Sequence, residues 1–239
     1  MTIFGGVLLY LGLIGAVAGT VSLLKPLRFL GIRNRKRGLL VLGLGFVAFT
    51  AGVYLPVRET RVATVRTRLD KFAPVYQFSE FHSIAVSAPK DRVYAAIRTV
   101  GPEEIRFLKT LMWIRFAGAW APKHGPMLDT FTAGAFQLLA EGPGREIVIG
   151  QAGDGRKARK LTAEEFKALQ KAPLVKIAMN FRIEEVDATH CVVSTETRVY
   201  AVGRDALHGF STYWRMIYPG SSLIRRMWLR AIKLRAEAA

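Results

Sequence analysis

Glu196 and Arg198 stand two residues apart in Ser194-Thr195-Glu196-Thr197-Arg198-Val199. On a strand that spacing puts a carboxylate and a guanidinium on one face, because successive side chains alternate. One could polarise a bound carbonyl while the other fixes its charge, and the same two groups could equally close a structural ion pair. His82, at the edge of another predicted strand, is a poorer candidate acid or base. Metal chemistry has little support. His82, His124, His190 and His208 form no pair four residues apart and no H-E-x-x-H, and the lone Cys191 removes every cysteine-based cage. G-x-S-x-G and the phosphate-binding loop are absent, and Gly150-Gln151-Ala152-Gly153-Asp154-Gly155 reads as a turn. No cofactor is expected.

The elements that would hold these residues follow from periodicity. Phe81 to Ser87 reads as a strand ended by Ala88-Pro89, and Val93, Ala96, Ile97 and Val100 share a helical face. Gly101-Pro102 breaks the chain before a helix with Glu103 and Glu104 in its first turn and Ile105, Leu108 and Met112 on one stripe. Gly142-Pro143-Gly144-Arg145 predicts a type II turn, and pairing Gly142 with Arg145 sets Ala140 opposite Ile147 and Leu138 opposite Ile149, with Phe136 on that face. Thr162 and Glu165 form a capping box for a short helix stopped by Pro173.

Val175, Ile177, Met179, Phe181 and Ile183 alternate with polar residues, which predicts a strand whose odd side is the core. The chain returns through Cys191 to Val202. A two- or four-residue loop would bring Glu196 and Arg198 to the face of Met179 and Phe181; a three-residue loop would bring Thr195 and Thr197 there instead. Leu207, Phe210, Trp214 and Ile217 then predict a helix that Pro219-Gly220 kinks or interrupts, resuming behind a Ser221 or Ser222 cap. Its second half aligns Arg226, Arg230 and Lys233, either a solvated face or a contact with anionic headgroups assisted by Trp228.

At the other end, Met1 to Leu24 carries no charged side chain, and Gly38 to Leu55 is a second uncharged run of 18 residues. Both are long enough to cross the hydrocarbon layer, the second at the short end of the range. Six cations between Lys25 and Arg37 make a turn that the positive-inside rule places in the cytoplasm, although Arg58, Arg61, Arg66, Arg68 and Lys71 almost match it beyond the second run. Ala16-Val17-Ala18 resembles a cleavage site but lacks a basic leader, so the first helix is expected to stay. Gly15-x-x-x-Gly19 could let two helices approach closely.

The 239 residues, 51% apolar, with 35 Lys+Arg against 18 Asp+Glu, exclude low-complexity disorder. Mean hydropathy of +0.21 beside a formal charge of +17 points to lipid rather than nucleic acid, because the cations are dispersed and flank apolar runs. The predicted organisation is a transmembrane helical hairpin at 1–56, a basic linker at 57–74 and a folded domain at 75–239.

Strand, two helices, antiparallel strands and a long terminal helix is the order of the helix-grip fold, an α+β class. From about Phe78 onward the chain resembles the START-like, or SRPBCC, superfamily. Phe81-His82-Ser83-Ile84-Ala85-Val86-Ser87-Ala88-Pro89 with Val93-Tyr94-Ala95-Ala96-Ile97 looks like the opening of its polyketide-cyclase-type members. Ser194 to Val199 with Phe210-x-x-Tyr213-Trp214 looks like the end of its bacterial branches. The resemblance covers about two-thirds of the chain, and its motifs are largely what any strand or helix of this fold requires.

The resemblance implies a curved sheet around the terminal helix with an elongated apolar cavity between them, suited to a lipid, sterol, polyketide or aromatic guest. Phe136, Met179, Phe181, Tyr213 and Trp214 would line it, and Glu196 with Arg198 would grip a polar head; the same apolar residues could simply pack together. The expected function is membrane-anchored binding, transfer or presentation of a hydrophobic ligand, with the domain outside the cytoplasm. A cyclase or dehydratase and a ligand-free scaffold at the membrane are the alternatives.

Overall fold

The computed structural model describes residues 2–119, 125–153, 158–169 and 174–238. His124, the glycine-rich turn beyond Gly153 and the helix stop at Pro173 lie outside them. The chain divides into two units, Met1–Arg58 with His208–Tyr218, and Glu59–Leu207 with Pro219–Ala239.

In the first unit, α1 (Thr2–Leu24) and α2 (Arg35–Tyr54) are long and apolar enough to cross a membrane by length and composition. They pack as a hairpin on glycine. Gly38, Gly45 and Gly52 recur every seven residues along α2 and are buried. A Cβ at Gly45 would lie 2.4 Å from the Ala16 amide nitrogen, and one at Gly19 would lie 2.5 Å from that of Leu42. The Gly15-x-x-x-Gly19 stripe thus serves the contact between α1 and α2. Asn34 caps α2, its side chain accepting from the Arg37 N–H at 2.9 Å.

The second unit opens with β1 (Thr60–Arg61) and α3 (Arg68–Phe72), both in the stretch expected as a linker, followed by β2 (Val75–Tyr76). The sequence has a reason to fold here. Thr67 and Asp70 make a capping box, and Leu69 and Phe72 are buried among Leu139, Val148, Phe166 and Ala178.

There follow β3 (Phe78–Val86), α4 (Lys90–Thr99), α5 (Leu108–Arg115), α6 (Met127–Ala133), β4 (Gln137–Gly142), β5 (Glu146–Gly153), β6 (Ala158–Arg159), α7 (Ala163–Ala168), β7 (Leu174–Asp187), β8 (His190–Val202) and α8 (Arg204–Ala238). The antiparallel sheet runs β3-β8-β7-β5-β4, with β6 beside β5. One face packs on the Pro219–Ala238 part of α8 and on α4, α5 and α6; the other is covered by α3 and α7. This is the helix-grip arrangement.

Several expectations need correction. α5 begins at Leu108, after Phe107 takes a left-handed φ of 64°, so Glu103 and Glu104 precede it; Ile105, Leu108 and Met112 are buried as the stripe requires. The turn at Gly142–Arg145 closes with Arg145 N–H donating to Gly142 O at 2.9 Å and Gly144 at φ 67°, yet the ladder pairs Gly142 with Glu146. An irregularity between Leu138 and Ala140 restores Leu138 opposite Ile149. α8 is not interrupted at Pro219, so no second helix starts behind Ser221 or Ser222.

Candidate functional site

The β7–β8 register decides what faces the interior. The loop holds two residues, Ala188 and Thr189, which alone would bring Glu196 and Arg198 beside Met179 and Phe181. A bulge between Glu185 and Asp187 shifts the ladder by one, so Met179 pairs with Thr197 and Phe181 with Thr195. Glu196 and Arg198 therefore occupy the opposite face.

There they form a structural knot. Arg198 Nε donates to Glu196 Oε1 and Nη1 to Asp70 Oδ1, each at 2.7 Å, and Nη1 also reaches Ala73 O at 3.2 Å. The guanidinium lies 4.8 Å from the Tyr76 ring centroid. Asn180 links the knot to Glu146, which accepts the Arg68 and Leu69 N–H groups. Each buried charge is paired or hydrogen-bonded, and the network fixes α3 on the sheet.

Met179 and Phe181 are fully buried, and Phe181 meets Trp228 edge-on with ring centroids 4.8 Å apart. Phe136 is half-buried against Phe131, which also touches Trp228. These residues thus pack against one another in the core of the second unit. Tyr213 and Trp214 belong to the first unit, where both pack with Phe210. The seven expected lining residues are thus divided between the two units, and within the second unit Glu196 and Arg198 lie on the opposite sheet face from Met179 and Phe181. Of the expected membrane-facing cations, Arg226 and Arg230 are exposed, whereas Lys233 is tied to Ala85 O at 2.7 Å and to Glu237 at 3.3 Å.

The interior holds a different polar cluster. Strand alternation on β3 turns Phe78, Glu80, His82, Ile84 and Val86 toward α8 and leaves Phe81 60% exposed. Glu80 is 3% exposed and pairs across the ladder with Thr197. Its carboxylate accepts from Ser221 Oγ at 2.8 Å and lies 2.9 Å from His82 Nε2. Ser222 Oγ lies 3.3 Å from the same nitrogen. The serines expected to cap a resumed helix instead meet β3. Because a carboxylate only accepts, His82 Nε2 is the donor in its contact with Glu80.

Arg225, one turn beyond Ser221, adds the positive charge, lying 5.8 Å from the Trp228 ring centroid. Burial pulls its guanidinium down to about 10, against the opposing pull of Glu80, so it stays charged at neutral pH. Among the described residues its buried Nη1 has no hydrogen-bond partner, nor do Trp228 Nε1 and Thr197 Oγ1. Two of these three are obligate donors, so the cluster is short of acceptors. Beside it a cavity of about 390 Å³ opens between edge strand β3 and α8, lined by Phe81, His82, Ser83, Ile84, Arg226 and Leu229.

Sequence reasoning ranked His82 below Glu196 and missed Glu80, Thr197 and Arg225. One signal was legible: a carboxylate and an imidazole two apart on a strand face otherwise made of Phe78, Ile84 and Val86. Arg225 gave none, being one cation in a basic helix.

No family model matches the sequence, and no curated protein does. Among solved structures, the chain matches the di-domain ARO/CYC BexL from the BE-7585A biosynthetic pathway at 19% identity and a TM-score of 0.30, over 67% of this chain and 46% of that one. It thus spans under half the length of BexL. The Zhui aromatase/cyclase from Streptomyces sp. R1128 matches at 18% identity and a TM-score of 0.30, over 67% and 93% of the two chains. A conserved protein from Geobacillus kaustophilus matches at 10% identity and a TM-score of 0.36, over 66% and 95%.

Proposed function

We propose that this protein is a membrane-anchored binding module whose ligand is an amphiphile, held by its oxygen-bearing end in the Glu80–His82–Arg225 cluster. The carrying observation is the pair of buried, unpartnered donors, Arg225 Nη1 and Trp228 Nε1. Such groups are costly to leave dry, and a carbonyl, carboxylate or phosphate oxygen would satisfy them. The cavity against Ile84 and Leu229 gives the apolar portion a place to lie. α1 and α2 cross the bilayer with their basic turn in the cytoplasm, which keeps the domain near lipid at high effective concentration, so modest affinity suffices.

Native mass spectrometry of the full chain, extracted in a mild detergent, tests this reading. The wild type should carry an amphiphile beyond the detergent, and Arg225→Met should release it. A wild type without such an adduct, or a variant that keeps it, sinks the proposal and favours a scaffold. A second reading, an enzyme of the cyclase or dehydratase type, is favoured by one observation, the buried carboxylate–imidazole pair. It predicts turnover that Glu80→Gln abolishes while the melting profile persists.

A further inference from the structure

Between Ala206 and Ile224 the one Lys, Arg, Asp or Glu is Arg215. A helix that faces water turns its cations outward and its apolar side chains inward. Within the first unit His208–Tyr218 instead turns its one cation inward and leaves two large apolar side chains outside. Arg215 is 1% exposed, whereas Met216 is 55% exposed and Tyr213 39%.

The buried guanidinium has a specific task. Its Nη1 donates to Val53 O at 2.7 Å and its Nη2 to Leu55 O, carbonyls at the end of α2 that helix geometry leaves without N–H partners. A cation there also opposes the negative end of the helix dipole. Gly5 of α1 leaves the room, since a Cβ at that position would stand 2.7 Å from Arg215 Nε. Two further contacts hold the segment. Tyr10 OH donates to Met216 O at 2.5 Å, and the His208 ring stacks on Tyr54 at 5.0 Å. His208–Tyr218 thus lies along the end of the hairpin where α1 begins and α2 finishes.

We infer that His208–Tyr218 is a third membrane-associated helical segment, seated at the boundary between headgroups and acyl chains, with Tyr213 and Met216 toward lipid and Arg215 capping the second span. The inference rests on the reading that α1 and α2 cross a bilayer. Lipid is the occupant because the surface is continuous with the exposed apolar flanks of both helices, Phe4 at 59% and Tyr54 at 69% exposure. Tyr, which the segment supplies at 213 and 218, is a side chain that favours this boundary. Segments of this kind lie in the interface without spanning it.

Single-cysteine spin labels test it on the full chain with Cys191→Ala, reconstituted in phosphatidylcholine vesicles containing phosphatidylglycerol. Labels at Leu44→Cys on the exposed side of α2 and at Thr189→Cys in the β7–β8 turn serve as lipid and water references. A label at Met216→Cys should collide several-fold more with oxygen, relative to a water-soluble nickel chelate, than the one at Thr189→Cys. If Met216→Cys matches Thr189→Cys while Leu44→Cys reads lipid, the third segment is disproved and the anchor stands. Should Leu44→Cys itself read water, the anchor fails and the inference with it. Arg215→Gln should move the Met216→Cys label toward the water value with Leu44→Cys unchanged; no movement would overturn the capping role.

Discussion

Arg225 and Arg198 are both cations held in the second unit, and removing each should have opposite consequences. Arg198 is matched on every side by Glu196, Asp70 and Ala73 O, so Arg198→Ala strands a buried Asp70 and should cost about 3–5 kcal/mol. Arg225 keeps an unpartnered nitrogen, so Arg225→Met in the ligand-free protein should leave thermal stability equal or raise it. Melting curves followed by tryptophan fluorescence check both, and a large loss for Arg225→Met would mean that the guanidinium is already satisfied. The knot also sets an acid limit. Burial pushes the Asp70 carboxyl up, but the Arg66 and Thr67 N–H groups and the Arg198 guanidinium outweigh it and hold the group below its usual range. A depressed carboxyl contributes its full stability above its unfolded value of about 4 and loses it as pH falls through the folded value. The melting temperature should therefore drop more steeply below about pH 4 in the wild type than in Asp70→Asn. Equal slopes would show that Asp70 carries no differential proton binding.

The elements were legible where their signal is local. Alternation in β7, the apolar stripe of α4, the Thr162 capping box and the type II turn at Gly142 each express a repeat or a turn preference written into adjacent residues. The face assignment of Glu196 and Arg198 was not, because it hangs on whether one residue, Val186, is accommodated as a bulge, and loop length alone gives the wrong answer. α3 escaped for a related reason: its Thr67–Asp70 box is in the sequence, but its burial depends on Arg198, 128 residues away. Deleting Val186 should make the argument physical. With the bulge gone, the two-residue loop would drive Glu196 and Arg198 into the core around Met179 and Trp228, and the variant should fail to fold, seen as lost near-ultraviolet circular dichroism. A natively folded deletion would mean that another position absorbs the shift. In the hairpin, Gly45→Leu should force α1 and α2 apart, since even a Cβ would collide with the Ala16 backbone; overpacking of this kind costs about 1–3 kcal/mol, readable as a lower melting temperature in detergent.

The orientation of the chain turns on which cations count. Six lie in the turn between the apolar helices, and five follow the second helix closely enough to cancel them if all were free juxtamembrane charges. Several of the five sit in the second unit. Arg68 and Lys71 belong to α3, Arg61 pairs with Glu59 at 2.7 Å, and the second unit begins at Glu59, so these charges travel with a folded domain. Long domains cross largely regardless of their charge, whereas short loops obey the positive-inside bias. The turn should therefore stay in the cytoplasm, and the domain with both chain ends should lie on the other side. Phe29 is 82% exposed within the turn and Thr189 is exposed in the domain, which makes both fit for cysteine labelling. In intact cells an impermeant maleimide should modify Thr189→Cys directly and Phe29→Cys only after permeabilisation. The reverse pattern would place the Glu80–His82–Arg225 cluster in the cytoplasm, where any amphiphile it holds would be drawn from the inner leaflet rather than the outer one.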